Sequence, residues 1–255
     1  MNPAEFDFIA RAEQHFWWYR GMQQIMFALL DKVNLKSGSR VLEAGCGTGF
    51  FAKSLAERYA WRMVPVDLGA EGLVYAKGMG LSCLVQSDIV GLPFRDSSFD
   101  AVVSMDVVVH LPRGEEEKAF SEFARVINPG GHLILRVSAL DILRSQHSIH
   151  ATERQRFTRS RLIEQIIRNG FTVDWCSYAN SILMPIALIK FRIIEPLSGG
   201  EPESGVQPVP PWLDAILSAA LRFESLCLGR RISFPIGQSL ILLARKAGAT
   251  KSDTA

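Results

Sequence analysis

The densest chemistry in this chain lies in Val41-Leu-Glu-Ala-Gly-Cys-Gly-Thr-Gly49, a short apolar run that carries a carboxylate and then a glycine at every second position. A turn of this kind lets the backbone come close to a nucleoside-bearing ligand. In the dinucleotide fingerprint the third glycine follows the second by three residues; here Phe50 holds that place, and the glycines are Gly45, Gly47 and Gly49. A phosphate-cradling loop would continue with Lys and then Ser or Thr, whereas this chain runs Phe50, Phe51, Ala52. Glu43 beside the turn repels a pyrophosphate and accepts hydrogen bonds from an ammonium group. A nucleoside cofactor with an amino-acid tail fits these residues, and a tight turn without a ligand is the alternative.

The segment resembles the first motif of the class I S-adenosylmethionine-dependent methyltransferases, an acidic residue followed by Gly-x-Gly-x-Gly, and Glu43, Gly45, Gly47 and Gly49 match it in full. The likeness is to a bacterial, small-molecule branch and is specific over about residues 40 to 138. It implies S-adenosyl-L-methionine as cofactor and S-adenosyl-L-homocysteine as product, with Glu43 on the amino group and Cys46 inside the cofactor turn. Asp67 stands 22 positions after Gly45, where an acid receives both ribose hydroxyls, and Leu68 follows it into the site. By the same resemblance Asp88 accepts the adenine amino group, the Ile89 amide reaches a ring nitrogen, and main-chain atoms of Ser104 and Met105 pass beside the methionine moiety. Many relatives place Glu-His a few residues later; this chain has Val109-His110, so the acid is missing. His110 reads either as a general base near the acceptor or as a structural residue at a helix start. Methyl transfer asks little of side chains, because a sulfonium is an activated electrophile and positioning supplies most of the acceleration.

The elements that must hold these residues alternate along the chain. Strands are expected at Arg40 to Glu43, Met63 to Asp67, Ser82 to Gln86, Asp100 to Ser104 and His132 to Ser138, the last after the turn Asn128-Pro-Gly-Gly131. Helices fall between them, at Gly49 to Arg58, around Gly72 to Gly78, and at Glu115 to Ile127. A further helix, Thr158 to Asn169, precedes strands at Phe171 to Trp175 and Gln238 to Arg245. The pattern is a doubly wound α/β sheet of seven strands, Rossmann-like, with the last strand antiparallel by resemblance.

Two segments lie outside that frame. Residues 4 to 33 read as helical, with the aromatic run His15-Phe-Trp-Trp-Tyr-Arg20 in the middle. One reading is a patch packing on the main domain; the other is a lid in which Trp18 shields the sulfonium and Arg20 meets the methionine carboxylate. The second segment is an insertion, with an apolar helix from Asn180 to Ile194, a Gly/Pro/Glu-rich linker from Ser198 to Pro211 and a helix from Trp212 to about Leu228. Its plain reading is a cap whose apolar faces bury each other; a homodimer interface or a basic amphipathic surface on anionic lipid are the alternatives. The domain limits that follow are 1-35 for the helical lid, 36-177 and 237-247 for the cofactor-binding domain, and 178-236 for the insertion.

Between the fifth and sixth strands, residues 141 to 168 hold Arg144, Arg154, Arg156, Arg159, Arg161 and Arg168 with His147 and His150. This is either a solvated basic face or a wall for an anionic acceptor, with His147 or His150 as a possible base. The chain as a whole has 255 residues, 48% apolar, and a formal charge of +2, which gives no electrostatic case for nucleic acid. Its four cysteines lack any Cys-x-x-Cys pair, so no metal site or disulfide framework is indicated and a reducing cytoplasm is the simplest compartment. The N-terminus reads as no secretory leader, and no apolar run is long enough for a transmembrane span. The function expected is direct SN2 methyl transfer to a small or lipid- or glycan-linked acceptor, partly apolar and anionic. A non-methylating, cyclase-like enzyme and a non-catalytic partner subunit are the alternatives.

Overall fold

The computed structural model describes residues 3–198 and 209–248. Two helices lead, α1 (Pro3–Ala12) and α2 (Trp17–Leu30), and the alternation then begins with β1 (Arg40–Ala44), α3 (Phe50–Tyr59), β2 (Arg62–Asp67) and α4 (Ala70–Gly78). After β3 (Val85–Gln86) and β4 (Phe99–Met105) come α5 (Glu116–Val126), β5 (Ile127–Ser138), α6 (Gln146–His150), α7 (Arg159–Arg168) and β6 (Phe171–Ala179). The insertion holds α8 (Met184–Ile189), a wider π turn at Lys190–Ile194, α9 (Glu195–Ser198) and α10 (Pro211–Gly229), and β7 (Ser239–Lys246) completes the sheet.

The seven strands lie in the order β3-β2-β1-β4-β5-β7-β6, with β7 antiparallel to both of its neighbours and the β1, β2, β3, β4 and β5 pairings parallel. Because β1 and β4 are covered on both faces, their apolar residues run without alternation: Val41, Leu42 and Ala44 are fully buried beside Ala101, Val102 and Val103. One face packs on α5 and α7 through Phe120, Phe123, Leu162 and Ile166. The other packs on α2, whose Met22, Ile25, Met26 and Leu29 recur at helical spacing, and on α3 and α10. α2 and α10 touch closely because residue 21 is glycine: a Cβ there would stand 2.2 Å from Leu221 Cδ1.

Several sequence expectations change. Residues 4 to 33 are two helices, not one, broken over 13–16 where Phe16 is extended (ψ 128°). The apolar stripe continues across both helices, so periodicity alone hides the corner. β6 runs on to Ala179, past the Trp175 at which the strand was expected to end. The expected helix from Asn180 begins only at Met184, with Pro185 in the first turn where its missing N–H is harmless. Most of the Ser198 to Pro211 linker, residues 199–208, lies outside the described residues. The insertion's apolar faces also do not bury each other: α10 packs on α2, and Ile186, Ile189, Ile193, Trp212, Ile216 and Phe223 are all exposed. Among the described residues no helix is long and apolar enough to cross a membrane.

Candidate functional site

Strand order reverses between β1 and β4, and ligands of open α/β sheets bind at the carboxyl ends of such strands. The turn after β1 is pinned there. The Gly45 and Cys46 amides both donate to the Val66 carbonyl at 2.8 Å, and the Gly49 amide closes on the Cys46 carbonyl at 2.9 Å. Gly45 has φ +85°, and a Cβ on it would stand 2.0 Å from Val107 Cγ2, so both conformation and space exclude a side chain.

The acids gather around this turn. Asp67 closes β2, where its Oδ2 accepts from the Gly47 amide (2.7 Å) and its Oδ1 from the Gly69 amide (2.8 Å), which fixes the carboxylate while leaving further acceptor capacity on each oxygen. Glu43 is buried within β1, and its Oε2 has no hydrogen-bond partner. Burial first, then the charges of Asp67 and Glu13, hold the Glu43 carboxyl well above the usual range. The same causes, burial first and then Glu43 and Asp67, push the Cys46 thiol up, so it stays a neutral, packed group.

Glu13 is the residue the sequence reading missed. The corner between α1 and α2 turns it inward, where it is 6% exposed and its Oε2 accepts from the Thr48 hydroxyl inside the glycine turn at 2.6 Å. Its Oε1 has no partner, and burial outweighs the Thr48 hydrogen bond to push its carboxyl up to about 7. Two buried carboxylates with an orphaned oxygen each are costly unless a cation or donor completes them. An ammonium beside a nucleoside is a group of that kind, so the residues present fit S-adenosylmethionine.

The other expected residues continue along the carboxyl edge. The Ser87 amide donates to the Asp67 carbonyl, which brings Asp88 and the buried Ile89 behind β2, while Leu68 is 66% exposed and Asp88 accepts from the Val90 amide. The Ser104 hydroxyl bonds the Ala44 carbonyl at 2.8 Å and ties β4 to β1, and Met105 ends the strand.

Trp18 and Arg20 contact other parts of the protein. Arg20 is engaged by the insertion, at 2.5 Å from Asp214 and 3.1 Å from the Ser218 hydroxyl, both on α10. The Trp18 ring faces the Arg136 guanidinium at 4.7 Å. Arg136, buried in β5, also pairs with Asp106 and bonds the Ser239 hydroxyl at 3.1 Å. A single arginine inside the apolar run Leu133-Ile-Leu-Arg-Val137 was the signal for this cluster.

The expected basic wall is largely spent on the protein itself. Arg161 pairs with buried Glu116, Arg156 with Glu153, Arg168 with Glu164, and Arg144 donates to the carbonyls of Glu153 and Arg154. Glu116 also accepts from Gln165 (2.8 Å), Gln155 (3.1 Å) and the Gly114 amide. Although burial raises its carboxyl, these hydrogen bonds prevail and hold it at about 2. His110 sits after β4 with Nδ1 3.4 Å from the Thr152 carbonyl; His147 and His150 lie on α6. Two surface clefts, one lined by Met63, Leu84 and Phe94 and one by Arg159, Thr172 and Trp175, include none of the turn residues.

Comparison with known proteins matches residues 42–135 to the family described as Methyltransferase domain. Phosphoethanolamine N-methyltransferase 1 of Zea mays is 31% identical over 111 residues, 42% of this chain and 22% of that protein. Ubiquinone biosynthesis O-methyltransferase of Xanthomonas oryzae is 32% identical over 148 residues, 53% of this chain and 61% of that protein. The chain thus spans about a fifth of the first relative's length. Among solved structures, a chain from the complex of the Haloferax volcanii Trm112 methyltransferase activator with a methyltransferase superposes with a TM-score of 0.63 at 19% identity, covering 95% of this chain and 98% of that one, a likeness of fold.

Proposed function

This chain belongs, through residues 42–135, to the class I S-adenosylmethionine-dependent methyltransferases, and on that premise we propose that it transfers a methyl group directly to a small or lipid- or glycan-linked acceptor. The observation that carries the reading is the pair of orphaned buried carboxylate oxygens, on Glu43 and Glu13, beside the glycine turn. Together they hold the amino-acid ammonium, and Asp67, already oriented by two backbone amides, receives the ribose hydroxyls. Asp88 and Ile89 hold the base. When bound, S-adenosylmethionine supplies a methyl group on a sulfonium, activated toward displacement by an acceptor nucleophile.

The protein's own contribution is position and exclusion of water. The segment from α1 to the start of α2 acts as a lid, with Phe6 buried over α4 and Glu13 latched to Thr48. Where the acceptor is a poorly acidic hydroxyl, His110 is the base; other acceptors need none. The relatives' names cover both N- and O-methylation, so the attacked atom rests on the acceptor. The acceptor's apolar part meets the insertion, and an anionic part finds fewer available arginines than the sequence promised. Incubation with the cofactor and candidate acceptors tests this: S-adenosylhomocysteine formed in step with methylated acceptor supports it. Acceptor turnover without S-adenosylhomocysteine assigns the chain to a non-methylating enzyme instead.

A further inference from the structure

The insertion presents two apolar stripes to solvent. From α8 into α9, Ile182, Ile186, Ile189, Ile193 and Leu197 recur every three or four residues and all are exposed, Leu197 by 82%. On α10, Trp212, Ile216, Phe223 and Leu226 follow at spacings of four, seven and three, again on one face, with Trp212 65% exposed. Globular helices turn such stripes inward, and contiguous exposed apolar surface marks an interaction site. The two stripes belong to one end of the molecule, since buried Glu224 of α10 accepts from the Ser181 and Ile182 amides at the start of the first.

Charge selects the partner. The cations of this region, Lys190, Arg192, Arg222, Arg230 and Arg231, are all exposed. The acids among its described residues are all engaged: Asp214 by Arg20, Glu195 by the Gln146 amide, and Glu224 in the interior. In a two-fold dimer through this face these cations would face one another with no free acid among the described residues, Glu201 and Glu203 of the linker lying outside them. Lys190 and Arg192 instead flank the first stripe and Arg222 the second, the arrangement of helices lying in an anionic lipid interface, apolar side chains among the acyl chains and cations at the headgroups.

Topology places this face beside the candidate site. β6 is antiparallel to β7 and therefore parallel to β5, so the insertion leaves at Ala179 and returns at Ser239 on the carboxyl edge, where Ser239 meets Arg136. We propose that the outer faces of residues 182–197 and 212–232 dock the protein peripherally on anionic membrane, with the carboxyl edge of the sheet turned toward the bilayer.

Vesicle sedimentation of the full chain tests this independently of catalysis. Vesicles of equal parts phosphatidylcholine and phosphatidylglycerol should pellet the protein, phosphatidylcholine alone should do so far less, and high salt should release it. Arg222→Gln with Arg231→Gln should weaken binding about 10-fold or more. Ile189→Ser with Phe223→Ser should weaken it on both vesicle types, and circular dichroism and melting of all variants should match the parent because these side chains are exposed. Equal pelleting of parent and variants, or none with the anionic vesicles, overturns the proposal. So does a solution dimer that the Phe223→Ser variant dissociates while the parent binds no vesicles.

Discussion

Two charged clusters at the carboxyl edge of the sheet have opposite characters. Around the β1 turn Glu43, Glu13 and Asp67 crowd together with no cation among the described residues, and two of their oxygens lack a partner there. Beyond β5, Arg161, Glu116, Gln155 and Gln165 close on one another, and every oxygen of Glu116 is spoken for. Buried charge that the protein itself completes is architecture, whereas buried charge left incomplete marks where a ligand finishes the structure. Side-chain composition alone assigns only half of this: Glu43 reads as the partner of an ammonium, while the arginine-rich segment reads equally as a solvated face or an anion-binding wall.

The largest effect that sharpens the contrast comes from the closed cluster. Glu116→Ala strands the Arg161 guanidinium and two glutamines, and should cost about 3 kcal/mol of folding stability, read by denaturant titration, with cofactor affinity little changed. Its pH signature follows from a depressed carboxyl: the stability Glu116 contributes is complete above about pH 4.3 and is lost as pH falls toward about 2. A Glu116→Gln variant should lose that acid-side slope.

The incomplete cluster should respond in the opposite pH range. With Glu13 raised to about 7, the free protein holds it largely protonated at pH 6, and a bound ammonium favours the ionised form. Cofactor binding should therefore release protons, and Glu13 should strengthen affinity by up to about tenfold per unit as pH rises toward 7, on top of the rise from Glu43, whose carboxyl is also held high. Calorimetry in buffers of different ionisation enthalpy checks the proton count, and Glu13→Gln should flatten the profile. A profile unchanged in Glu13→Gln would break the assignment of Glu13 to the cofactor.

The smallest effect separates lid packing from ligand binding. Arg20 is paired with Asp214 at a part-exposed site, so Arg20→Ala should cost less than about 1 kcal/mol in stability and leave cofactor affinity unchanged. A marked rise in the dissociation constant would return Arg20 to the methionine carboxylate.

What could be read from the chain follows from how local each feature is. The β1 turn, Asp67 at the end of β2 and the strand and helix alternation depend on residues a few positions apart, and the sheet forms as that pattern implies, while the antiparallel final strand was implied by the family resemblance. Glu13 was hidden because its partner Thr48 is 35 positions away and the helix break that aims it leaves apolar periodicity intact. For Arg20 packing and a contact to the methionine carboxylate stayed open side by side, because its partner Asp214 lies 194 residues on. The insertion misled for a further reason: amphipathic spacing reports that a helix has an apolar face, and says nothing of whether protein, a second copy or lipid covers it.

The central claim is that Glu43 waits for a cation. Calorimetric titration of S-adenosylmethionine into the parent and into Glu43→Gln tests it most directly. Loss of a charge-assisted contact worth about 2 kcal/mol should weaken binding about 30-fold, with the glutamine variant folding at least as well as the parent because a buried, unpaired acid has been removed. Equal affinities for the two proteins, or no binding to the parent, would contradict the account.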